Sequence, residues 1–160
     1  MFHVETYKGT REDNYKLVSK QLQALMEDEP NVIANLSNAS AVLNQFLDRV
    51  NWVGFYLVEE NQLILGPFQG LPACVRIPFG RGVCGTAAST KETQLVADVH
   101  EFPGHIACDA ASRSEIVVPI LKKDGSLFGV LDIDSPETDR FDEEDRKGLE
   151  AFVSVLESTL

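Results

Sequence analysis

Glu115-Ile116-Val117-Val118-Pro119-Ile120-Leu121, followed by Lys122-Lys123-Asp124-Gly125-Ser126 and then Leu127-Phe128-Gly129-Val130-Leu131-Asp132-Ile133-Asp134, carries the strongest structural signal in the chain. Two runs rich in β-branched and large apolar residues flank a polar Asp-Gly, the short-range signature of an antiparallel hairpin. Side chains alternate across a strand, so Leu131 and Ile133 face one side while Asp132 and Asp134 share the other. Taken alone, that acidic face reads as a solvated sheet surface. Glu115 opens the partner strand, however, and a hairpin closed across Asp124-Gly125 brings it near both aspartates, with the register left open by the sequence. Three carboxyls then gather on one face.

Near the start of the chain, Thr10 followed by Asp13 resembles an N-cap with an acid three residues on, and Tyr15, Val18, Leu22, Leu25 and Met26 recur on one helical face. Pro30 ends that helix, and a second keeps its period through Val32, Ile33, Leu36, Val42, Leu43, Phe46 and Leu47 to about Arg49. Trp52 to Val58 and Gln62 to Leu65 read as a hairpin around Glu59-Glu60-Asn61, and Cys74 to Ile77 as a short strand. Pro78-Phe79-Gly80-Arg81-Gly82 leads into a small-residue helix over Val83 to Ser89, and Thr93 to Val96 is another strand. The segment from Ala97 to Arg113 has no clean period and contains Pro103-Gly104, which marks a long functional loop. Asp142 caps a last helix whose buried stripe is Leu149, Phe152, Val153 and Leu156. Helices, antiparallel strands and a closing helix make an α+β fold.

The 160 residues fit one domain, with 44% apolar and 24% charged residues and no linker-like or repetitive stretch. No basic region followed by an apolar run opens the chain, and no apolar run approaches a membrane span, so a cytoplasmic protein is expected. A formal charge of -11 without a basic stripe argues against nucleic acid and anionic membranes as partners. The acid runs Glu27-Asp28-Glu29 and Asp142-Glu143-Glu144-Asp145 are accounted for by helix ends and solvated faces.

Cys74, Cys84 and Cys108 are the remaining candidates for chemistry. Nine residues separate the first two and twenty-three the last two, which fits neither a zinc ribbon nor a Cys-x-x-Cys pair, and a metal site from Cys84, His100, His105 and Cys108 has equally poor spacing. No metal is expected, and any disulfide in a cytosolic chain should be transient. Cys84 lies near a helix start, where local physics makes it the most acidic thiol. Cys108 sits on the long loop close to His105. His100 and His105 taken singly read as surface or hydrogen-bonding residues, and Trp52 as core. Crowded carboxyls raise one another's pKa, so one of Glu115, Asp132 and Asp134 can stay protonated as a general acid while the others hold a cation. The cluster suits a small ammonium-bearing substrate with an oxygen that must be protonated before it leaves.

Asn51-Trp52-Val53-Gly54-Phe55-Tyr56, Gly80-Arg81-Gly82-Val83-Cys84-Gly85, Phe102-Pro103-Gly104-His105-Ile106-Ala107-Cys108-Asp109 and Ser114-Glu115-Ile116-Val117-Val118-Pro119 together resemble the free methionine-(R)-sulfoxide reductases, which are stand-alone GAF domains. The resemblance spans nearly the whole chain, and three cysteines in these motifs are not expected of a generic GAF domain. It implies a GAF-like central antiparallel sheet with N- and C-terminal helices on one face and an active-site loop region on the other, as a single domain over residues 1–160. It also implies that Cys108 attacks the sulfoxide sulfur and becomes a sulfenic acid. Cys84 then resolves it to a Cys84–Cys108 disulfide that thioredoxin reduces, with Cys74 as an alternative or relay thiol. By the same resemblance Glu115, Asp132 and Asp134 bind the substrate ammonium and help protonate its oxygen, Trp52 packs on the methyl group, and backbone N–H groups near Ile106, Ala107 and Cys108 receive the carboxylate. Separate anchors for ammonium and carboxylate exclude a residue within a peptide. No organic cofactor is implied. GAF domains often pair through terminal helices, so a homodimer is expected; the competing reading is a non-catalytic GAF module that senses a small molecule.

Overall fold

The computed structural model describes residue 2, residues 6–105 and residues 110–160. Its sheet has six strands, all paired antiparallel: β1 (Trp52–Glu59), β2 (Gln62–Gln69), β3 (Arg76–Pro78), β4 (Gln94–Val96), β5 (Ser114–Leu121) and β6 (Leu127–Ser135), in the spatial order β3-β2-β1-β6-β5-β4. The hairpin expected over Glu115 to Asp134 is present and lies at the sheet centre, closed by Lys122 N–H donating to Ser126 O and by Gly125 N–H donating to Lys122 O. Gly125 takes φ +85°, which its lack of a side chain permits, and the Asp124 carboxylate accepts from the Ser126 N–H and hydroxyl.

Strand alternation gives the sheet two unlike faces. Val53, Phe55, Ile116, Val118, Ile120, Leu131 and Ile133 meet α1 (Arg11–Met26), α2 (Val32–Phe46) and α4 (Glu143–Glu157) in one core. Trp52, Tyr56, Val117 and Val130 point the other way, where Val83, Ala87 and Ala88 of α3 (Gly82–Thr90) close a second, smaller core. The terminal helices thus share one face and the loop-bearing side carries the other, as the resemblance implied. Thr10 caps α1 by accepting from the Asp13 N–H, and Asp142 and Asp145 form a capping box at the start of α4. Among the described residues, no helix is long and apolar enough to cross a membrane.

Several boundaries differ from the sequence reading. β2 runs on to Gln69 through Gly66-Pro67, because the register against β1 shifts between Leu65 opposite Tyr56 and Phe68 opposite Gly54. Pro67 therefore falls in a bulge, where a missing N–H costs no ladder bond. α2 stops at Phe46 rather than near Arg49, whose φ of +54° is incompatible with continuing the helix. The loop after β4 contains a 3-10 turn over Val99–Glu101, pinned by Val99 N–H donating to Arg113 O.

Candidate active site

The second face of the sheet carries the acids. Asp132 pairs with Val117 and Gly54 across its two neighbouring strands, and Asp134 pairs with Glu115 and Trp52. Glu115 is therefore directly opposite Asp134, which resolves the register that the sequence left open. The solvated-face reading of this strand does not hold. Glu115, Asp132 and Asp134 are only 8%, 5% and 8% exposed, because α3 packs over them. Gly54, opposite Asp132, leaves room on this face for the Trp52 ring and Phe68, since a Cβ there would come within 2.7 Å of the Trp52 ring and 2.3 Å of Phe68 Cβ.

A cavity of about 40 Å³ is lined by Glu115, Asp132, Asp134, Cys84, Tyr56 and Ser112, among others, with exposed Arg81 and half-buried His105 also on its wall. Cys84 Sγ lies 3.9 Å from Glu115 Oε2 as a hydrogen-bond donor. Burial pushes the Glu115 carboxyl well above the usual carboxylate range, and the neighbouring Asp132 and Asp134 push it further. Asp132 is raised as well, by burial, against hydrogen bonds with Glu115 and Cys84 that favour its charged form. Among the described residues, its Oδ1 is buried without a hydrogen-bond partner of its own. Such an atom costs stability unless something donates to it.

Cys84 is corrected by the same geometry. It stands near the N-terminus of α3, as read, yet burial and the charges of Asp132, Glu115 and Asp134 hold its thiol well above the ordinary thiol range. A helix start supplies only about half a positive charge; desolvation and three carboxyls outweigh it. Cys84 is a free thiol, so the expected Cys84–Cys108 disulfide is not formed in this structure. Cys74, half-buried just before β3, is disulfide-bonded, and its carbonyl accepts from the Tyr56 hydroxyl at 2.9 Å. Cys108, Ile106 and Ala107 lie outside the described residues.

Trp52 is buried in a stack, 5.1 Å from Phe68 and 5.8 Å from Tyr56 between ring centroids, with Nε1–H donating to Leu71 O. It reaches the cavity wall through Tyr56. His100 is held by Asp98, at 3.1 Å from Nδ1, and its ring lies 5.9 Å from that of His105. Burial, then the nearby His100, lowers the pKa of His105 at the cavity wall. Tyr56, Ser112 and Arg81 were missed by the sequence reading; alternation from Trp52 signalled Tyr56, whereas nothing local signals the other two.

The GAF-domain family profile matches residues 36–160. The chain is 53% identical over 146 residues to the Escherichia coli free methionine-R-sulfoxide reductase, covering 91% of this chain and 88% of that one. The chain is a GAF domain of the free methionine-R-sulfoxide reductase family. The structure of the Staphylococcus aureus fRMsr in complex with its substrate superposes with a TM-score of 0.88 at 62% identity, over 98% of this chain and 99% of that one. The Neisseria meningitidis free methionine-R-sulfoxide reductase, also with its substrate, superposes with a TM-score of 0.94 at 44% identity, over 99% and 95% of the two chains. Two of these relatives are thus known with substrate bound, and this reductase-family chain shares their fold along nearly its full length.

Proposed function

We propose that this chain, as a single GAF domain over residues 1–160, reduces free L-methionine (R)-S-oxide to L-methionine. The observation that carries this reading is the buried Glu115–Asp132–Asp134 cluster on the cavity wall, with an unpartnered acceptor on Asp132. Glu115, the carboxyl that burial and its neighbours most strongly favour as the neutral acid, donates a proton to the sulfoxide oxygen. Asp132 and Asp134 accept hydrogen bonds from the substrate ammonium. Trp52 and Tyr56 wall the methyl side, and backbone N–H groups around Ile106, Ala107 and Cys108 take the carboxylate.

Cys108 attacks the sulfoxide sulfur; methionine leaves and Cys108 keeps the oxygen as a sulfenic acid. We assign resolution to Cys74 rather than Cys84. Cys74 is the thiol found in a disulfide, whereas Cys84 is free and its environment opposes the thiolate that would attack a sulfenic acid. Condensation of Cys74 with the sulfenic acid releases water and forms the disulfide. The dithiol of thioredoxin reduces it in a cytoplasmic setting, so no metal or organic cofactor enters the cycle. A homodimer through the terminal helices accompanies this reading.

Methionine release from each sulfoxide diastereomer with thioredoxin recycling tests it. Turnover of the R form alone is expected, abolished in Cys108→Ser, halted after one equivalent in Cys74→Ser and still cycling in Cys84→Ser. Cycling in Cys74→Ser with a stall in Cys84→Ser would return resolution to Cys84. Turnover of neither diastereomer would make a small-molecule sensor the better reading.

A further inference from the structure

The free thiol beside the acids has a consequence that sulfoxide reduction does not use. Cys84 Sγ, a Glu115 carboxylate oxygen and an Asp132 carboxylate oxygen all lie within 4.8 Å of one another, and all three side chains are buried. We propose that Cys84, Glu115 and Asp132 form an inhibitory site for a thiophilic divalent cation of the Zn2+ class, which excludes the substrate amine from the cavity. The cation site stands on its own geometry; only the exclusion of substrate rests on the proposed function.

Tetrahedral zinc with bonds of about 2.3 Å to sulfur and about 2.0 Å to oxygen holds its donors roughly 3.5 Å apart. Cys84 Sγ and Glu115 Oε2 are already 3.9 Å apart, so the ligand shell needs side-chain adjustments of under about 1 Å. A further pointer to a ligand is Asp132 Oδ1, which is buried and has no hydrogen-bond partner among the described residues. One thiolate and two carboxylates outweigh a dication by one negative charge, and the protons of Cys84 and Glu115 pass to solvent as the metal–ligand bonds form. Asp134 lines the same cavity and is placed beside Glu115 by the strand register, where it or a water can take the fourth position. Tyr56 does not compete as a ligand, because its hydroxyl donates to Cys74 O. A thiolate in the donor set selects a borderline-soft cation over Mg2+ or Ca2+. This cation is an inhibitor, distinct from a resident catalytic metal.

Titration of the full chain with Co2+, its Cys74 disulfide intact, reads the site directly through thiolate-to-metal charge-transfer absorption. One equivalent of Co2+ is expected to produce the band, one equivalent of Zn2+ to replace it, and Mg2+ to leave it untouched. Cys84→Ser should remove the band and weaken Zn2+ binding at least about 100-fold, beyond what loss of an outer-shell partner costs. Cys84→Ala repeats the test in case one variant fails to fold. No stoichiometric binding by the wild type, or a band undiminished in the folded variant, overturns the site. For the exclusion, the protein reduced with a phosphine is titrated with Zn2+ in saturating methionine, following the absorbance lost in Cys84→Ser. Methionine should raise the Zn2+ concentration for half-occupancy at least tenfold, and an unchanged value overturns the competition. A chain that binds Co2+ through Cys84 yet reduces no sulfoxide overturns the proposed function and leaves the cation site intact.

Discussion

Glu115 and Asp132 are carboxylic acids placed where their charge is disfavoured: burial raises both, and Glu115 is raised further by its acidic neighbours. Below an ordinary carboxylate pKa of about 4, folded and unfolded chains both hold these protons. As pH rises past that value the unfolded chain releases them while the folded chain retains them, so stability is lost progressively toward the raised folded values. Glu115→Gln and Asp132→Asn remove that dependence one group at a time. Each is expected to flatten the slope of unfolding free energy by up to about 1.4 kcal/mol per pH unit above pH 4, with the variant gaining on the wild type at neutral pH and losing its advantage in acid. Glu115→Gln should also lower turnover by roughly 10²–10⁴-fold, the usual contribution of a positioned acid. Urea unfolding across pH together with kcat measures both. A variant that is less stable at pH 7 than at pH 4, relative to wild type, would refute the placement of an uncharged carboxyl here.

At the scale of elements, α3 is the lid on the acidic face, and its seat is set by close backbone approach. A Cβ on Gly85 would stand 2.5 Å from Pro78 O, and Gly85 N–H and O bond to Arg81 O and Gly80 N–H. Gly85→Ala must push α3 away from β3, carrying Cys84 off the carboxyls. A loss of about 1–3 kcal/mol in stability is expected from overpacking. Turnover should fall in the molecules that remain folded, as activity normalised to circular dichroism will reveal. Normal turnover per folded molecule would mean that α3 does not position the site. The hairpin of β5 and β6 was legible because its signals are local: alternation over Val130 to Asp134 and a turn at Asp124-Gly125. The acidity of Cys84 was not, because Glu115 lies 31 positions away and only the strand register brings it to the thiol. β2 was cut short in the sequence reading for a related reason. Gly66-Pro67 looks like a stop until the facing strand turns it into a bulge.

At the scale of the whole molecule, the two faces of the sheet divide stability from chemistry. The helical face is fastened by Asp145 at the start of α4, which accepts from the Tyr15 hydroxyl of α1 at 2.7 Å and from its N-cap Asp142 N–H, and pairs with Arg140 and Arg11, each at 3.4 Å. Arg140, almost wholly buried, also donates to the carbonyl and carboxylate of Asp48 just beyond α2, so one guanidinium joins the ends of two helices. Its loss leaves a buried carboxylate short of its closest buried cation. Arg140→Met is expected to cost about 3–5 kcal/mol, the penalty for breaking a buried pair from one side. Tyr15→Phe removes one neutral donor and should cost only about 1–3 kcal/mol. Neither residue lines the cavity, and the sheet stands between this network and the acids. kcat and KM of both variants, measured well below their melting temperatures, should therefore match the wild type while their urea midpoints fall, Arg140→Met further than Tyr15→Phe. A fall in kcat that tracks the loss of stability would mean that the helical face sets the geometry of the acids through the sheet.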